Sequence, residues 1–296
     1  MSLGAATSTI HQSPVKRLLL RGMPPATLRL LRSVRSAGLL ALDPIDYASR
    51  AINNQRSLPP FHLRREVGDP SIFESSGAEF LAYSKLLCGL RRDERVLDIG
   101  CGCGLMALFL EDYLGETGAY LGIDVQANAI RWCQSHISSR SPNFEFRHID
   151  VRNRRYNPRG DAAKLRVPGG DGAFDFIIVK SVFTHLLQPD IEQYLAEISR
   201  LLSDGGRCLA SWFLLPSAEW RPSHRRETLS FAYGDGVCRY ESERSPETAV
   251  AYAEPHVRRL LGQYGLQLRE PVYGGTWSGE PGGLSTQDLT VIEKRR

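Results

Sequence analysis

Residues 96–104 read VLDIGCGCG: a short apolar run interrupted by a carboxylate, Asp98, then glycine at positions 100, 102 and 104. RVLDI is apolar and bounded by polar residues, which predicts a buried strand. LMALFLEDYL, behind the glycines, predicts a helix. A strand, a glycine turn and a helix N-terminus together let a ligand approach the backbone closely. A tight turn that only needs positive φ is satisfied by one glycine. Three in alternation predict a ligand cradle.

Outward from this point, apolar runs alternate with helical ones. AYLGID precedes QANAIRWCQSHI; FEFRHID is followed by a long loop; FDFIIVK precedes IEQYLAEISRLL, and RCLASWFLL follows the turn Asp204–Gly206. Such alternation predicts an α/β fold with a parallel sheet covered by helices on both faces. Near the end, EPHVRRLLGQYG, LQLREPVYG and QDLTVIEK read as helix, strand and strand. The linking GTWSGEPGGLST is short enough for a hairpin. SIFESSGAEFLAYSKLLCGL, upstream of the glycine turn, reads as a helix stopped near Gly89. Residues 70–296 are therefore expected to form the main domain, behind a partly helical extension and linker over 1–69. Within that extension Leu30, Leu31, Val34, Gly38 and Ala41 fall near one helical face, and residues 53–69 read as a Pro-punctuated ordered linker.

Composition bounds the class. Hydrophobic residues make up 42% of the 296 and charged residues 24%, ordinary for a globular protein with a real core. No run of about 18 apolar residues suggests a membrane-spanning helix. The six cysteines (88, 101, 103, 133, 208 and 238) lack the double-pair spacing of a zinc site. Two of them sit inside the glycine turn, where a disulfide would distort the backbone. A reducing, cytoplasmic setting is the expectation. Residues 1–42 carry six basic side chains and no acidic one. This leader reads as a solvated tail, an Arg-rich targeting segment, or a contact for phosphate, a polyanion or an acidic membrane at its periphery.

In an open parallel sheet, ligands bind beyond the carboxyl ends of the strands. Asp98, Asp124, Asp150 and the pair Lys180–Ser181 all fall at such ends. Asp124 lies 20 residues after Gly104, the spacing at which a second-strand carboxylate reaches ribose hydroxyls. An adenosine-type cofactor is the expectation. Gly102, Gly104 and Ala107 also satisfy the G-x-G-x-x-G/A spacing of a dinucleotide site, which keeps a dehydrogenase open on pattern alone. Asp98 weighs against it, since a carboxylate beside the turn repels pyrophosphate and suits an ammonium group.

Here the sequence resembles the class I S-adenosylmethionine-dependent methyltransferases. Their first motif, acid-x-Gly-x-Gly-x-Gly, is met by Asp98, Gly100, Gly102 and Gly104, and the resemblance runs from about Phe80 to the C-terminus. It implies a seven-stranded Rossmann-like methyltransferase sheet, mostly parallel with the last strand antiparallel, and S-adenosylmethionine as the cofactor. Carried over, the glycine turn lies under the methionine part, Asp124 takes the ribose hydroxyls, and Asp150 with Val151 bounds the adenine. Ser181 joins the cofactor set from the end of the fourth strand.

Methyl transfer from a sulfonium is an in-line displacement in which the protein aligns the acceptor and, for a hydroxyl, removes a proton. KSVFTHLLQPD follows the fourth strand, and its His185 is the candidate general base, with packing or capping as the bland alternative. No N/D-P-P-Y/F/W follows that strand, and no Pro-Cys supplies a cytosine-5 nucleophile. The strand ends in Lys-Ser rather than aspartate, so no metal site is expected. Two segments, 152–172 and a lid over 214–248, are expected to shape the acceptor pocket. Trp220, Arg221 and His224 of the lid, with Trp277 of the terminal hairpin, are the candidate substrate contacts. The resemblance extends to bacterial small-molecule and glycan methyltransferases, which implies O-methylation of a glycan or secondary metabolite. Nucleic acid is not the expected partner. The alternatives are a methyltransferase of RNA or another macromolecule, and a cofactor-binding protein without turnover.

Overall fold

The computed structural model describes residues 25–55, 57–153, 156–161, 165–220 and 229–295. The leader before Pro25 and the side chains of residues 25–37 lie outside that description, as do Arg221 and His224 and the contacts expected of them. The chain divides into two compact units, 1–77 and 78–296.

In the first unit, α1 (Pro25–Ile52) continues through Pro44, beyond the helical-face positions read from the sequence, which end at Ala41. The segment read as a linker contains a second helix, α2 (Phe61–Val67). Ion pairs tie the two. Asp46 accepts from both Arg50 and Arg64, and Asp43 holds His62 Nδ1 at 2.5 Å. Arg50 also donates to the Leu58 carbonyl at 2.6 Å, closing the turn between the helices.

The second unit is built on β1 (Arg95–Ile99), β2 (Ala119–Asp124), β3 (Phe144–His148), β4 (Phe174–Val179), β5 (Leu202–Trp212), β10 (Leu266–Tyr273) and β11 (Asp288–Lys294). These form one seven-stranded sheet in the order β10-β11-β5-β4-β1-β2-β3. All neighbours run parallel except β11, which is antiparallel to both β5 and β10. Helices α3 (Phe73–Cys88), α4 (Leu105–Leu110), α5 (Ala127–Cys133), α6 (Gln188–Leu201) and α7 (Glu254–Gln263) supply its cover. Strand alternation decides which. Val96, Phe176 and Ile178 pack with Phe80 of α3, Met106 and Leu110 of α4, and Ile130 of α5. Leu97, Ile177 and Val179 pack with Ile191 and Leu195 of α6 and Val257 and Leu261 of α7. Gly89 ends α3 in the left-handed region, at φ +62°, as its position after the apolar run predicts.

Two details depart from the sequence reading. The Asp204–Gly206 turn is absorbed into β5 as an irregularity, with Gly205 at φ +77° and the β4 register shifted between Phe174 and Phe176. The segment read as a lid contributes strands to a second sheet, which extends beyond it to Ala253. The strands of that sheet are β6 (Leu214–Leu215), β7 (Tyr233–Gly234), β8 (Cys238–Tyr240) and β9 (Val250–Ala253), in the order β6-β9-β8-β7. Strands of two to four residues are too short to show alternation in sequence. Among the described residues, no helix is long and apolar enough to cross a membrane.

Candidate active site

The turn after β1 continues the ladder: Gly100 N–H donates to the Ile123 carbonyl at 2.8 Å, so the turn is seated on the end of β2. Gly100, Gly102 and Gly104 have φ of +78°, +54° and +82°. A Cβ at Gly100 would run into Val182, and one at Gly104 would sit 2.7 Å from Ile137 Cδ1. Both conformation and space therefore demand glycine here. Asp124 braces the turn from below: its carboxylate accepts from Gly102 N–H and Gln126 N–H, each at 2.8 Å. Its pKa is raised, because burial outweighs the backbone hydrogen bonds it accepts. A carboxylate has about four acceptor positions, so both oxygens keep capacity for ribose hydroxyls.

Asp98 is buried on the α3 face of the sheet. Its Oδ2 accepts from the Tyr120 hydroxyl at 2.6 Å, and among the described residues nothing donates to Oδ1. Burial pushes its carboxyl up to about 7, against the Tyr120 hydrogen bond. Asp150 stands exposed just beyond β3 and accepts from Asn157 Nδ2 at 2.8 Å. The backbones of 150–153 and 157–161 pair, with Val151 and Asp161 in a bridge, so this part of the expected loop is ordered.

Ser181 follows β4 at φ +56°, a left-handed backbone that costs a non-glycine residue energy. Its N–H donates to Ser211 Oγ at 2.7 Å, and both hydroxyls donate to Gln287 Oε1, at 3.0 and 2.7 Å. This row crosses β4, β5 and the start of β11 at the carboxyl edge of the parallel strands. Ser211 is buried, so its hydroxyl hydrogen needs the Gln287 carbonyl, and that sets the amide orientation. Gln287 Nε2 is left with no donor target among the described residues.

His185 ends the one-turn helix Phe183–His185 and is half-buried. Its Nδ1 lies 3.0 Å from the Glu247 carbonyl of the lid, and its ring meets the edge of Tyr156 with centroids 6.1 Å apart. A carbonyl only accepts, so Nδ1 carries the proton and Nε2 of the neutral ring keeps its lone pair.

Trp220 and Trp277 meet edge to face at 5.6 Å inside an aromatic cluster with Phe213 and Phe231. Trp277 is buried there, and its indole N–H donates to Asp288 Oδ2 at 2.7 Å. Asp288 also accepts from the N–H groups of Leu214 and Gly275, so one carboxylate ties β11 to the lid. Tyr120, Ser211, Gln287 and Asp288 were absent from the candidate set. Strand register pairs Val96 with Tyr120 and Trp212 with Asp288, which no local sequence pattern reveals.

The sheet order, the single antiparallel strand and the braced glycine turn define a Rossmann-like nucleoside-cofactor fold. Residues 96–206 match the family described as a methyltransferase domain. Over 112 residues the chain is 32% identical to an arsenite methyltransferase of Aquipseudomonas alcaligenes, covering 38% of this chain and 30% of that protein. Over 131 residues it is 30% identical to a ubiquinone/menaquinone biosynthesis C-methyltransferase of Azotobacter vinelandii, covering 44% of this chain and 47% of that protein. It thus spans less than half the length of these curated relatives. A solved structure of a SAM-dependent methyltransferase from Aquifex aeolicus aligns with a TM-score of 0.49 at 20% identity, covering 77% of this chain and 95% of that one. Residues 96–206 thus match a methyltransferase domain, seated on a Rossmann-like sheet with one antiparallel strand.

The residues present fit S-adenosylmethionine, the methyl donor that the sequence resemblance implies. The open Asp98 Oδ1 suits an ammonium, the glycine turn admits close approach, and the remaining acceptor capacity of Asp124 suits vicinal hydroxyls. When bound, the cofactor supplies an electrophilic methyl group on a sulfonium.

Proposed function

We propose that the chain O-methylates a hydroxyl of a small molecule or glycan, with no metal and with His185 as the general base. The observation that carries this reading is the hydrogen bond from His185 Nδ1 to the Glu247 carbonyl, which leaves Nε2 as the basic nitrogen on the segment leaving β4. A neutral imidazole is suited to take a hydroxyl proton as the oxygen attacks. The Gln287 amide supports the same class of acceptor, since its N–H groups would donate to an acceptor oxygen at the carboxyl edge of β4 and β5. Relatives named for C-methylation of quinones and for arsenite methylation set the competing outcomes.

The test offers sugar and phenolic hydroxyl compounds, a demethylquinone and arsenite, each with S-adenosylmethionine, with and without a chelator. A methoxy product formed equally well with chelator supports the reading. Methylation on carbon or arsenic alone, or activity abolished by chelation, overturns it. With an accepted hydroxyl substrate, His185→Ala is expected to slow turnover by roughly 10²-fold or more while cofactor affinity is kept. Equal turnover returns His185 to a packing role.

A further inference from the structure

α1 is amphipathic in the reverse of the usual sense: its charged side is turned to α2, and its apolar side faces out. From Gly38 onward its charged residues are Asp43, Asp46 and Arg50, spaced three and four apart on one side of the helix. All are engaged there. Asp43 holds His62 Nδ1, Asp46 accepts from Arg50 and Arg64, and Arg50 donates to the Leu58 carbonyl. The opposite side carries no charge. Ala41, Ile45, Ala48 and Ile52, spaced four, three and four apart, share one helical face, and every one of them is exposed. Ile45 is 69% exposed and Ile52 84%, although isoleucine is among the residues most often fully buried. Leu40 and Tyr47, at 53% and 60%, widen the same apolar surface. In sequence the spacing reaches back through Leu30, Val34 and Gly38.

We propose that this outer face of α1 lies in the headgroup region of an anionic bilayer, with the basic residues before it on the lipid phosphates. Single surface hydrophobes are ordinary, but a continuous uncharged face over about four turns of helix marks a surface that meets an apolar medium. The charge beside it selects which medium. Residues 1–42 hold six basic side chains and no acidic one, and α1 itself carries Arg29, Arg32 and Arg35 before its first acidic residue, Asp43. An acidic lipid surface is complementary to such a segment. A second copy of this chain would add six more basic charges rather than compensate them. A basic amphipathic helix lies in the plane of the interface, its aliphatic side chains immersed and its cations among the headgroups. Tyr47, with an apolar ring and a polar tip, suits the same level. Among the described residues no helix is long and apolar enough to span the bilayer, so the proposed contact is made from one side. Aliphatic burial supplies the hold, and electrostatic attraction supplies the preference for acidic lipid.

Cosedimentation of the full chain with vesicles tests this, with phosphatidylcholine plus phosphatidylserine set against phosphatidylcholine alone. The chain is expected to bind the acidic vesicles roughly 10-fold or more tightly, and to be released as salt rises from about 0.1 M to about 0.5 M. Ile45→Glu combined with Ile52→Glu should weaken that binding roughly 10- to 100-fold, whereas Ile45→Leu with Ile52→Leu should keep it. Both positions are exposed, so the Glu variant should keep the thermal midpoint of wild type. If the double variant fails to fold, Ile52→Glu alone, at the more exposed position, carries the comparison. Equal binding to both kinds of vesicle, or binding to neither, overturns the proposal. So does a Glu variant that binds as wild type does, which would leave the contact to the basic leader without α1. A lowered midpoint in a folded Glu variant would show that the face packs within the protein. Light scattering covers the remaining occupant: a wild-type dimer that the Glu variant splits would assign the face to a second copy instead.

Discussion

Asp98 carries the sharpest consequence at the scale of one residue. Its carboxyl is raised by burial to about 7, against about 3.9 for an unfolded aspartate. A raised carboxyl pKa means the folded protein holds its proton longer than the unfolded chain. The stability it contributes is full below about pH 4 and is lost as pH rises through about 7. Asp98→Asn should therefore gain stability relative to wild type as pH increases across that window, measured by denaturant titration at several pH values. Cofactor binding should run the other way. An ammonium prefers the ionised carboxylate, so S-adenosylhomocysteine affinity of wild type should rise with pH through about 7, while that of Asp98→Asn should stay flat. A parallel rise in both proteins would remove Asp98 from the ammonium contact. That a carboxylate belonged here was legible in the sequence; its Tyr120 partner and its burial were not, because both depend on β2 lying beside β1.

At the scale of elements, the link between α3 and β1 is fastened by a buried pair. Arg207 of β5 holds both oxygens of Glu94, at 2.7 and 2.9 Å, and donates to the carbonyls of Cys88 and Gly89. The two side chains are only 9% and 1% exposed, so solvent does not screen the pair. Arg207→Met leaves a buried carboxylate whose other cation, among the described residues, is the exposed Arg91. The expected cost is about 3 kcal/mol or more, read from the midpoint of urea unfolding. Adding Glu94→Gln should recover much of it, because the unpaired charge is then gone. A cost under about 1 kcal/mol for the single variant would show that solvent reaches the pair. The helix, the strand and the turn at Gly89 were each legible from local patterns. The clamp was not, since its partners are 113 residues apart in the chain. The lid sheet escaped for a different reason: its strands are too short for a period of two to register.

For the whole molecule, cofactor binding should stabilise the fold by mass action. At a concentration 100 times its Kd, S-adenosylhomocysteine should add about 2.7 kcal/mol, which raises the thermal midpoint of a unit this size by about 5–10 °C. NADH at the same concentration should produce no shift. A shift with NADH alone would restore the dinucleotide reading that Gly102, Gly104 and Ala107 left open. The measurement needs no acceptor, so it precedes any search for the substrate.

The sequence by itself determined the alternation of strands and helices, the glycine turn and the acid at the end of β2. Each is written within one element or one turn, where hydrophobic period and backbone conformation are local properties. It also placed His185 on the segment leaving β4, without its tautomer. Tertiary structure alone decided what those residues meet. It set the His185 proton through a carbonyl 62 residues away, and joined Ser181 to Gln287 across 106 residues. It also turned Trp277 into the lid core. Such contacts follow from strand order and register, which depend on packing the whole sheet, so no short stretch of sequence contains them.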